Sequence, residues 1–144
     1  MVFIINCTNK TTQTDMDYKQ IPEYKIEKDQ DLKSKRVFAE TIATELLEGM
    51  RDNNFKELIN NSTDDMKTQF SADVQKNTYQ QIKQLYGDYK SMEYYETVEN
   101  KLYTVFRYKG TFTKTEKKPE IRVVLDTEGK LAGLWIKEWI DELK

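Results

Sequence analysis

The apolar residues of this chain change their spacing at Gly87, and no other feature of the sequence constrains the fold as strongly. Before this glycine, large apolar side chains recur about every four residues, and after it they alternate with polar ones. The first spacing is typical of a helix with one buried stripe, and the second of a strand with one buried face. The sequence therefore predicts helices first and a sheet afterwards.

The longest predicted helix covers residues 32–50, and a polar run after Gly49 predicts its end. Its apolar stripe consists of Phe38, Ile42, Leu46 and Met50. A short helix capped by Asn54 is predicted next, because three apolar residues would share its inner face. These residues are Phe55, Leu58 and Ile59.

Two more helices are predicted before the change of spacing. Met66 and Phe70 lie four residues apart on one or two helical turns. Ser71 is a suitable N-cap for the last helix, and Gly87 is a suitable residue to follow its end. The side chains expected to point inward from the last helix are Val74, Tyr79, Ile82 and Leu85.

Four strand-like segments follow, at residues 92–98, 102–112, 121–125 and 131–136. Turn-forming residues separate them. Short connections join antiparallel strands, because parallel strands need long crossovers. The predicted fold class is therefore α+β, with N-terminal helices followed by a four-stranded antiparallel sheet whose apolar face is covered by the first helix.

Composition excludes several classes of site. The chain has no histidine and a single cysteine, Cys7, which excludes serine or cysteine nucleophiles activated by histidine, metal sites that need imidazole, and an internal disulfide. With 23 basic and 25 acidic residues and no long basic run, the charge balance argues against nucleic-acid binding. No glycine-rich phosphate-binding motif occurs. We expect no catalytic set, metal or cofactor.

The N-terminus suggests a lipid anchor. Residues 1–7 form an apolar run that ends at the only cysteine, and this resembles the last turn of a bacterial lipoprotein signal with Cys7 as the acylated residue. Residues 8–31 are mostly polar, which predicts a disordered tether ahead of a single domain at 32–144. We expect a cell-envelope protein held outside the cytoplasm, with the membrane contacted only through the anchor. The alternative is an ordinary N-terminus and a cytoplasmic protein.

The order of elements and two local motifs resemble a known family. The long helix leads into Asn53-Asn54-Phe55, and the closing hairpin contains Gly129-Lys130 followed by Gly133-Leu134-Trp135-Ile136. Over roughly residues 33–137, this is similar to an uncharacterised domain-of-unknown-function family of the nuclear transport factor 2-like (cystatin-like) superfamily, found in bacterial secreted proteins and lipoproteins. The resemblance implies a curved sheet wrapped on the first helix, often hollow at its wide end, and it implies no activity.

Strand alternation predicts a concave face rich in aromatic side chains. If the fold is hollow, they line a site for a small apolar ligand or part of a protein partner; otherwise they fill the core. The predicted ligand-binding residues are Tyr94, Glu96, Phe106, Tyr108, Phe112 and Trp135. Val98, Val123 and Leu125 are predicted to lie on the same face.

Glu96 stands out because it interrupts this apolar face. Buried beside a tyrosine, it could act as the acid or base of an isomerase or dehydratase. Alternatively it lies in water at a strand end, or pairs with Arg107 or Arg122 after a register shift.

The opposite face combines charged and aromatic residues, which suits either a solvated surface or a homodimer interface. Its predicted members are Glu93, Tyr95, Tyr103, Val105, Arg107, Lys109 and Arg122. Trp139 and Ile140 would extend the apolar core or cap a dimer seam, and residues 114–120 are predicted to be a charged hairpin tip. The expected function is a non-enzymatic binding or accessory domain, with a structural dimerisation module and the Glu96 enzyme as alternatives.

Overall fold

The computed structural model of the chain describes residues 5–6, 26–114 and 118–140, with side chains from residue 30 onward. Three helices precede the main part of one antiparallel sheet. The helices are α1 (Ile26–Arg51), α2 (Asp64–Gln69) and α3 (Ala72–Tyr86). The strands are β1 (Ile5–Asn6), β2 (Tyr89–Glu99), β3 (Thr104–Phe112), β4 (Glu120–Leu125) and β5 (Leu131–Lys137).

The sheet has the order β1-β5-β4-β3-β2, and every pairing between these strands is antiparallel. The α+β class and the four-stranded meander from β2 to β5 are thus confirmed. The two-residue strand β1 was not predicted, and it pairs with β5 through Ile5 and Leu134. Cys7 and the part of the predicted tether that covers residues 8–25 lie outside the described residues.

Helix α1 covers one face of the sheet, which we call the inner face. It begins at Ile26, earlier than the predicted residue 32, and its apolar stripe lies in the main core. The buried members on the helix are Ala39, Ile42, Ala43, Leu46, Leu47 and Met50. The buried sheet residues of the same core include Phe106, Tyr108, Phe112, Ile121, Val123, Leu125, Leu134 and Ile136. The inner face is therefore closely packed.

The predicted helix after Asn54 is wrong, because residues 54–59 contain no helix. Long-range hydrogen bonds hold this region instead. The buried amide nitrogen of Gln75 donates to the carbonyls of Lys56 (2.7 Å) and Phe70 (3.1 Å). Leu131 N–H donates to Asn61 O at 2.9 Å. Gln75 lies 19 residues from Lys56, and Leu131 lies in the last strand, so local apolar spacing could not indicate these contacts.

The ends of the later helices follow the predicted capping chemistry. Ser71 Oγ accepts from Val74 N–H, and Thr63 Oγ1 accepts from Met66 N–H, so each satisfies a backbone donor at a helix start. Gly87 ends α3 with φ 86°, and a Cβ there would lie 2.4 Å from Thr113 Oγ1. Leu85 was predicted to point inward and is 48% exposed, so that assignment is wrong.

Candidate functional site

A β-bulge in β2 decides which side chains reach each face of the sheet. Tyr94 pairs with Tyr108 and Glu96 pairs with Arg107, so Tyr95 is an extra residue in the ladder. The bulge reverses the alternation beyond it. Glu96 therefore lies on the face away from α1, which we call the outer face, and its predicted place on the concave face is wrong.

Two other residues were assigned to the wrong face. Val98 lies beyond the same bulge and packs in a small outer cluster with Val105, Val124 and Ala132. Trp135 pairs with Arg122 and therefore also faces outward. The continuous apolar run of β5 gave no alternation from which its facing could be predicted.

Four of the six predicted ligand-binding residues lie on the inner face, as predicted. Phe106, Tyr108 and Phe112 are buried in the core beside α1, while Tyr94 is 39% exposed at its margin. Glu96 and Trp135 are separated from them by the thickness of the sheet. The role of these four as a ligand-binding wall stays a prediction.

At the margin of the inner face, α1 contributes a charged pair that the sequence analysis did not identify. The Arg36 guanidinium lies 4.3 Å from the centre of the Tyr94 ring, and Arg36 Nε lies 3.7 Å from Glu40 Oε2. The Tyr94 and Tyr108 rings meet edge to face at 5.9 Å. The Tyr108 hydroxyl is buried with no well-formed hydrogen bond among the described residues. Burial, with the charge of Glu40 nearby, raises the pKa of Tyr108 well above its ordinary value.

The outer face carries charged residues in two rows that cross the strands. The first row runs Glu96, Arg107, Arg122, Trp135 across β2, β3, β4 and β5. The second row runs Glu93, Lys109, Glu120, Lys137 across the same strands. Arginines directly opposite each other would repel, so their arrangement requires a carboxylate between them.

Glu120 provides that carboxylate. Arg107 donates to it twice, from Nε at 3.0 Å and from Nη2 at 3.1 Å. Arg122 donates from Nε at 2.7 Å and from Nη2 at 3.3 Å. Arg107 also donates from Nη1 to Glu96 and from Nη2 to the carbonyl of Ile140 at 2.6 Å. We call Glu96, Arg107, Glu120 and Arg122 the ion cluster.

Three members of the ion cluster are almost fully buried, which is unusual for charged groups. Burial alone would raise the pKa of Glu120, but hydrogen bonds from Arg107 and Arg122 outweigh it and hold that pKa below its ordinary value. Glu120 is therefore ionised at neutral pH. The prediction that residues 114–120 form a charged hairpin tip is therefore wrong for Glu120, which is buried and belongs to β4.

Two aromatic rings cover the ion cluster, and we call Tyr95 and Trp139 the aromatic cover. Their rings meet edge to face at 4.7 Å. Arg107 Cζ lies 4.7 Å from the Trp139 ring centre and 5.3 Å from that of Tyr95. Lys109 Nζ lies 4.8 Å and 5.2 Å from the same two centres. Cations held over aromatic faces in this way are attracted by the ring quadrupole.

The β5 end of the two rows contains an indole between two cations. Arg122 Cζ lies 5.2 Å and Lys137 Nζ 5.6 Å from the Trp135 ring centre. The Trp135 indole N–H is buried and has no acceptor among the described residues. Burial, together with the charges of Arg122 and Arg107, lowers the pKa of Lys137.

This geometry is suited to binding. The Glu96 carboxylate is held by Arg107, as the register-shift alternative predicted, and it does not face Tyr94 or Tyr108. Within residues 5–6, 26–114 and 118–140, no three His, Cys, Asp or Glu side chains come together as a metal site. The roles of Glu120 and Lys137 and the position of Trp139 were not predicted from the sequence. The spacing Glu120-x-Arg122 could have indicated the first, since residues two apart in a strand share a face.

The comparisons with known proteins identify a family. The profile of the family described as "Protein of unknown function (DUF3887)" matches residues 43–134, which begin within α1 and end within β5. No curated protein and no solved structure matches the chain. Across the described residues, no helix is long and apolar enough to cross a membrane. Because the profile match covers more than half of the 144 residues, the chain belongs to the DUF3887 family.

Proposed function

We propose that this domain is a non-enzymatic binding or accessory module of the bacterial cell envelope, and that it binds a protein partner through the outer face of its sheet. The observation that carries the proposal is the aromatic cover, which is partly exposed and held over the cations Arg107 and Lys109. Tyr95 is 42% exposed, although it lies directly above fully buried charges.

The composition of this surface favours a protein interface. Tyr, Trp and Arg are the residues most enriched at binding hot spots, where they are surrounded by groups that exclude water. Here Arg107 is fixed by three separate acceptors, namely Glu120, Glu96 and the Ile140 carbonyl. A surface whose side chains are already ordered loses less entropy on binding than a flexible one.

The packed inner face adds indirect support. Phe106 and Tyr108, which were predicted to line an interior site, are at most 1% exposed beneath α1. A ligand inside the fold would need to displace core side chains, whereas a partner on the outer face would not.

The finer description of the fold and the compartment belongs to the same proposal. The long helix over a meander of four antiparallel strands supports a nuclear transport factor 2-like fold. The apolar run ending at Cys7 supports a lipid anchor outside the cytoplasm. Fatty-acid labelling of the wild type and of Cys7→Ser in cells tests the anchor, and equal labelling of both would contradict it.

Photo-crosslinking from adjacent residues tests the binding face. Tyr95 and Tyr94 are consecutive and similarly exposed, but they lie on opposite sides of the sheet. We expect a photoreactive phenylalanine at position 95 or 139 to form a covalent adduct with another protein in cells, and the same group at 94 to form none. The purified partner should then lose binding to Tyr95→Ala/Trp139→Ala while retaining it to Tyr94→Ala.

The other outcomes of this experiment separate the alternatives. An adduct between two copies of the chain from position 95 or 139 would support the dimerisation module and overturn the accessory role. An adduct from position 94 only would move the binding site to the inner margin. Absence of any adduct from 95 and 139 would refute the outer face as a binding surface.

A small-ligand site at the inner margin is a second candidate. The observation in its favour is the buried Tyr108 hydroxyl, which has no well-formed hydrogen bond and lies near Glu40 and Arg36. A polar ligand that enters beside Tyr94 could supply the missing partner. Differential scanning fluorimetry of the wild type and of Tyr108→Phe with a small-molecule panel tests this site. A ligand that raises the melting temperature of the wild type should not raise that of the variant.

A further inference from the structure

We infer that the outer face contains a seat for one carboxylate group of the partner, formed by Lys137, Arg122 and Trp135. This inference rests on the proposed function, because it names the chemistry by which the outer face would recognise its partner. It is supported by charge, by hydrogen-bonding capacity and by the position of the three side chains.

The charge balance of the two rows favours an added anion. Among the residues of both rows, four are cations and three are carboxylates. Glu120 is already shared by two arginines, and Glu96 is bound to Arg107. Glu138, the residue that follows β5, instead lies near Tyr86, whose ring contacts Phe112 on the inner side of the sheet. Within the two rows, the cations therefore outnumber the carboxylates by one.

We assign the surplus charge to Lys137, because Glu120, which lies opposite it, is shared by two arginines. Lys109 has Glu93 opposite it. Among the described residues, no carboxylate lies within 4.0 Å of the Lys137 ammonium group, although the side chain is half buried. Arg122 and Arg107 repel it, while Glu120 attracts it but is already shared by the two arginines. A half-buried cation beside two other cations is stabilised when an anion approaches.

Two further donors lie beside Lys137. The hydrogen bonds from Arg122 to Glu120 use Nε and Nη2, and they leave Nη1 without a partner in the described part of the chain. Trp135 is 5% exposed, and its indole N–H lacks an acceptor. Buried N–H groups in native proteins nearly always have an acceptor, so an unmatched one requires an explanation. An incoming oxygen would provide it.

A carboxylate fits these donors better than a phosphate. The surplus is a single positive charge, which one carboxylate neutralises and a phosphate dianion would exceed. The same sheet face already holds a carboxylate between guanidinium groups, at Glu120, and the planar guanidinium matches carboxylate geometry. We therefore assign the seat to an acidic side chain or the C-terminal carboxylate of a protein partner.

The two tryptophans of the chain, Trp135 and Trp139, both lie on the outer face, so the indole N–H signals report directly on this surface. We would titrate the ¹⁵N-labelled protein with an acetylated tetraglutamate peptide at constant ionic strength. Trp135→Phe assigns the two indole signals. We expect the Trp135 indole proton to move downfield in a saturable manner as it gains an acceptor.

Variants define the seat. Lys137→Gln should weaken the apparent affinity for the peptide by at least about tenfold, because it removes one charge-assisted contact. Lys130→Gln, in the exposed turn before β5, should leave the affinity unchanged. If both variants weaken the affinity for the peptide equally, the attraction is non-specific and the proposed carboxylate site is wrong. No saturable shift of the Trp135 signal in the wild type would also overturn it.

Inorganic phosphate is the comparison probe. Saturation by phosphate at lower concentration than by tetraglutamate would overturn the assignment to a carboxylate. A normal tetraglutamate response together with no crosslink from positions 95 and 139 would refute the proposed protein-binding function while supporting the seat. The reverse result, with crosslinks but no indole shift, would leave the binding face supported and refute the seat.

Discussion

The inner and outer faces of the sheet are built from the same four strands, yet one face buries apolar side chains and the other buries charged ones. The inner face buries apolar side chains beneath α1, and its stability arises from the removal of that surface from water. The outer face buries three charged residues, for which desolvation is unfavourable unless every charge is matched. The comparison teaches that the inner face specifies the fold, whereas the outer face needs a reason beyond stability for its composition.

The largest expected effect concerns the outer face. Glu120→Gln should lower the free energy of unfolding by about 3–5 kcal/mol, because Arg107 and Arg122 would remain buried without their shared carboxylate. Urea denaturation measures this change. Glu128→Gln, at an exposed turn position, should change the free energy by less than about 0.5 kcal/mol. Similar values for both variants would mean that the ion cluster is not formed in solution.

A triple replacement sharpens the comparison. Replacing Arg107 and Arg122 with Met and Glu120 with Leu should restore most of the stability lost in Glu120→Gln, because well-packed apolar groups often match or exceed a buried ion pair. If the triple variant is stable but no longer binds the crosslinked partner, the charges serve recognition. A triple variant as unstable as Glu120→Gln would argue that the cluster is structurally required.

The inner face should respond strongly to loss of volume. Leu46→Ala should lower the free energy of unfolding by about 2–5 kcal/mol, because Leu46 is 1% exposed in the core and a cavity would remain. Val37→Ala on the exposed side of α1 is the control and should change it by less than about 0.5 kcal/mol. A small effect of Leu46→Ala in denaturant titrations would contradict the packing of α1 on the sheet.

Acid should affect the outer face selectively. Because the pKa of Glu120 is lower in the folded chain than its ordinary value of 4.5, its contribution to stability is fully present above pH 4.5 and is lost as the pH falls through the folded value. The effect at pH 4 should be smaller than that of Glu120→Gln, since part of the ionised form survives. Denaturation measured from pH 7 to pH 3 should show a shallower acid slope in the triple variant. Identical slopes would indicate that Glu120 titrates normally.

The smallest expected effect lies on the inner face. Tyr108→Phe should change the free energy of unfolding by less than about 1 kcal/mol, and towards stability, because it removes a buried hydroxyl without a well-formed hydrogen bond. Tyr79→Phe should cost about 1–2 kcal/mol, since the Tyr79 hydroxyl donates to Asp88 Oδ1 and accepts from Tyr89 N–H, both at 3.0 Å. If Tyr108→Phe destabilises as much as Tyr79→Phe, the hydroxyl is bonded to Glu40.

The inner face could be predicted from the sequence because it depends on repeated spacing. The stripe of α1, the caps at Ser71 and Gly87 and the antiparallel meander all follow from local patterns. Each rests on several residues that agree, so a single exception does not change the prediction. The apolar positions of β3 and β4 were assigned correctly for the same reason, with Phe106 and Val123 in the core.

The outer face could be predicted in part, since Arg107, Lys109 and Arg122 were assigned to it correctly. The ion cluster and the places of Glu96 and Val98 could not, because they depend on single residues and on their cross-strand neighbours. One extra residue at Tyr95 moved Glu96 and Val98 to the other side. The burial of Glu120 requires arginines from β3 and β4, and the position of Trp139 depends on the chain beyond β5. Such contacts produce no periodic pattern in the sequence, so the ion cluster can be recognised only when the register between the strands is known.

The bulge in β2 also decides where this strand can tolerate a change in length. Deleting Tyr95 would remove the extra residue, so Glu96 would stay opposite Arg107 and Thr97 would stay opposite Phe106. The strand would keep its two faces and lose only one ring of the aromatic cover. Deleting a regularly paired residue such as Thr97 would instead turn the residues after it to the opposite face of the sheet. We expect insertions and deletions to be tolerated in the turns at either end of β2 and at position 95, and not within the regularly paired segments of the strand.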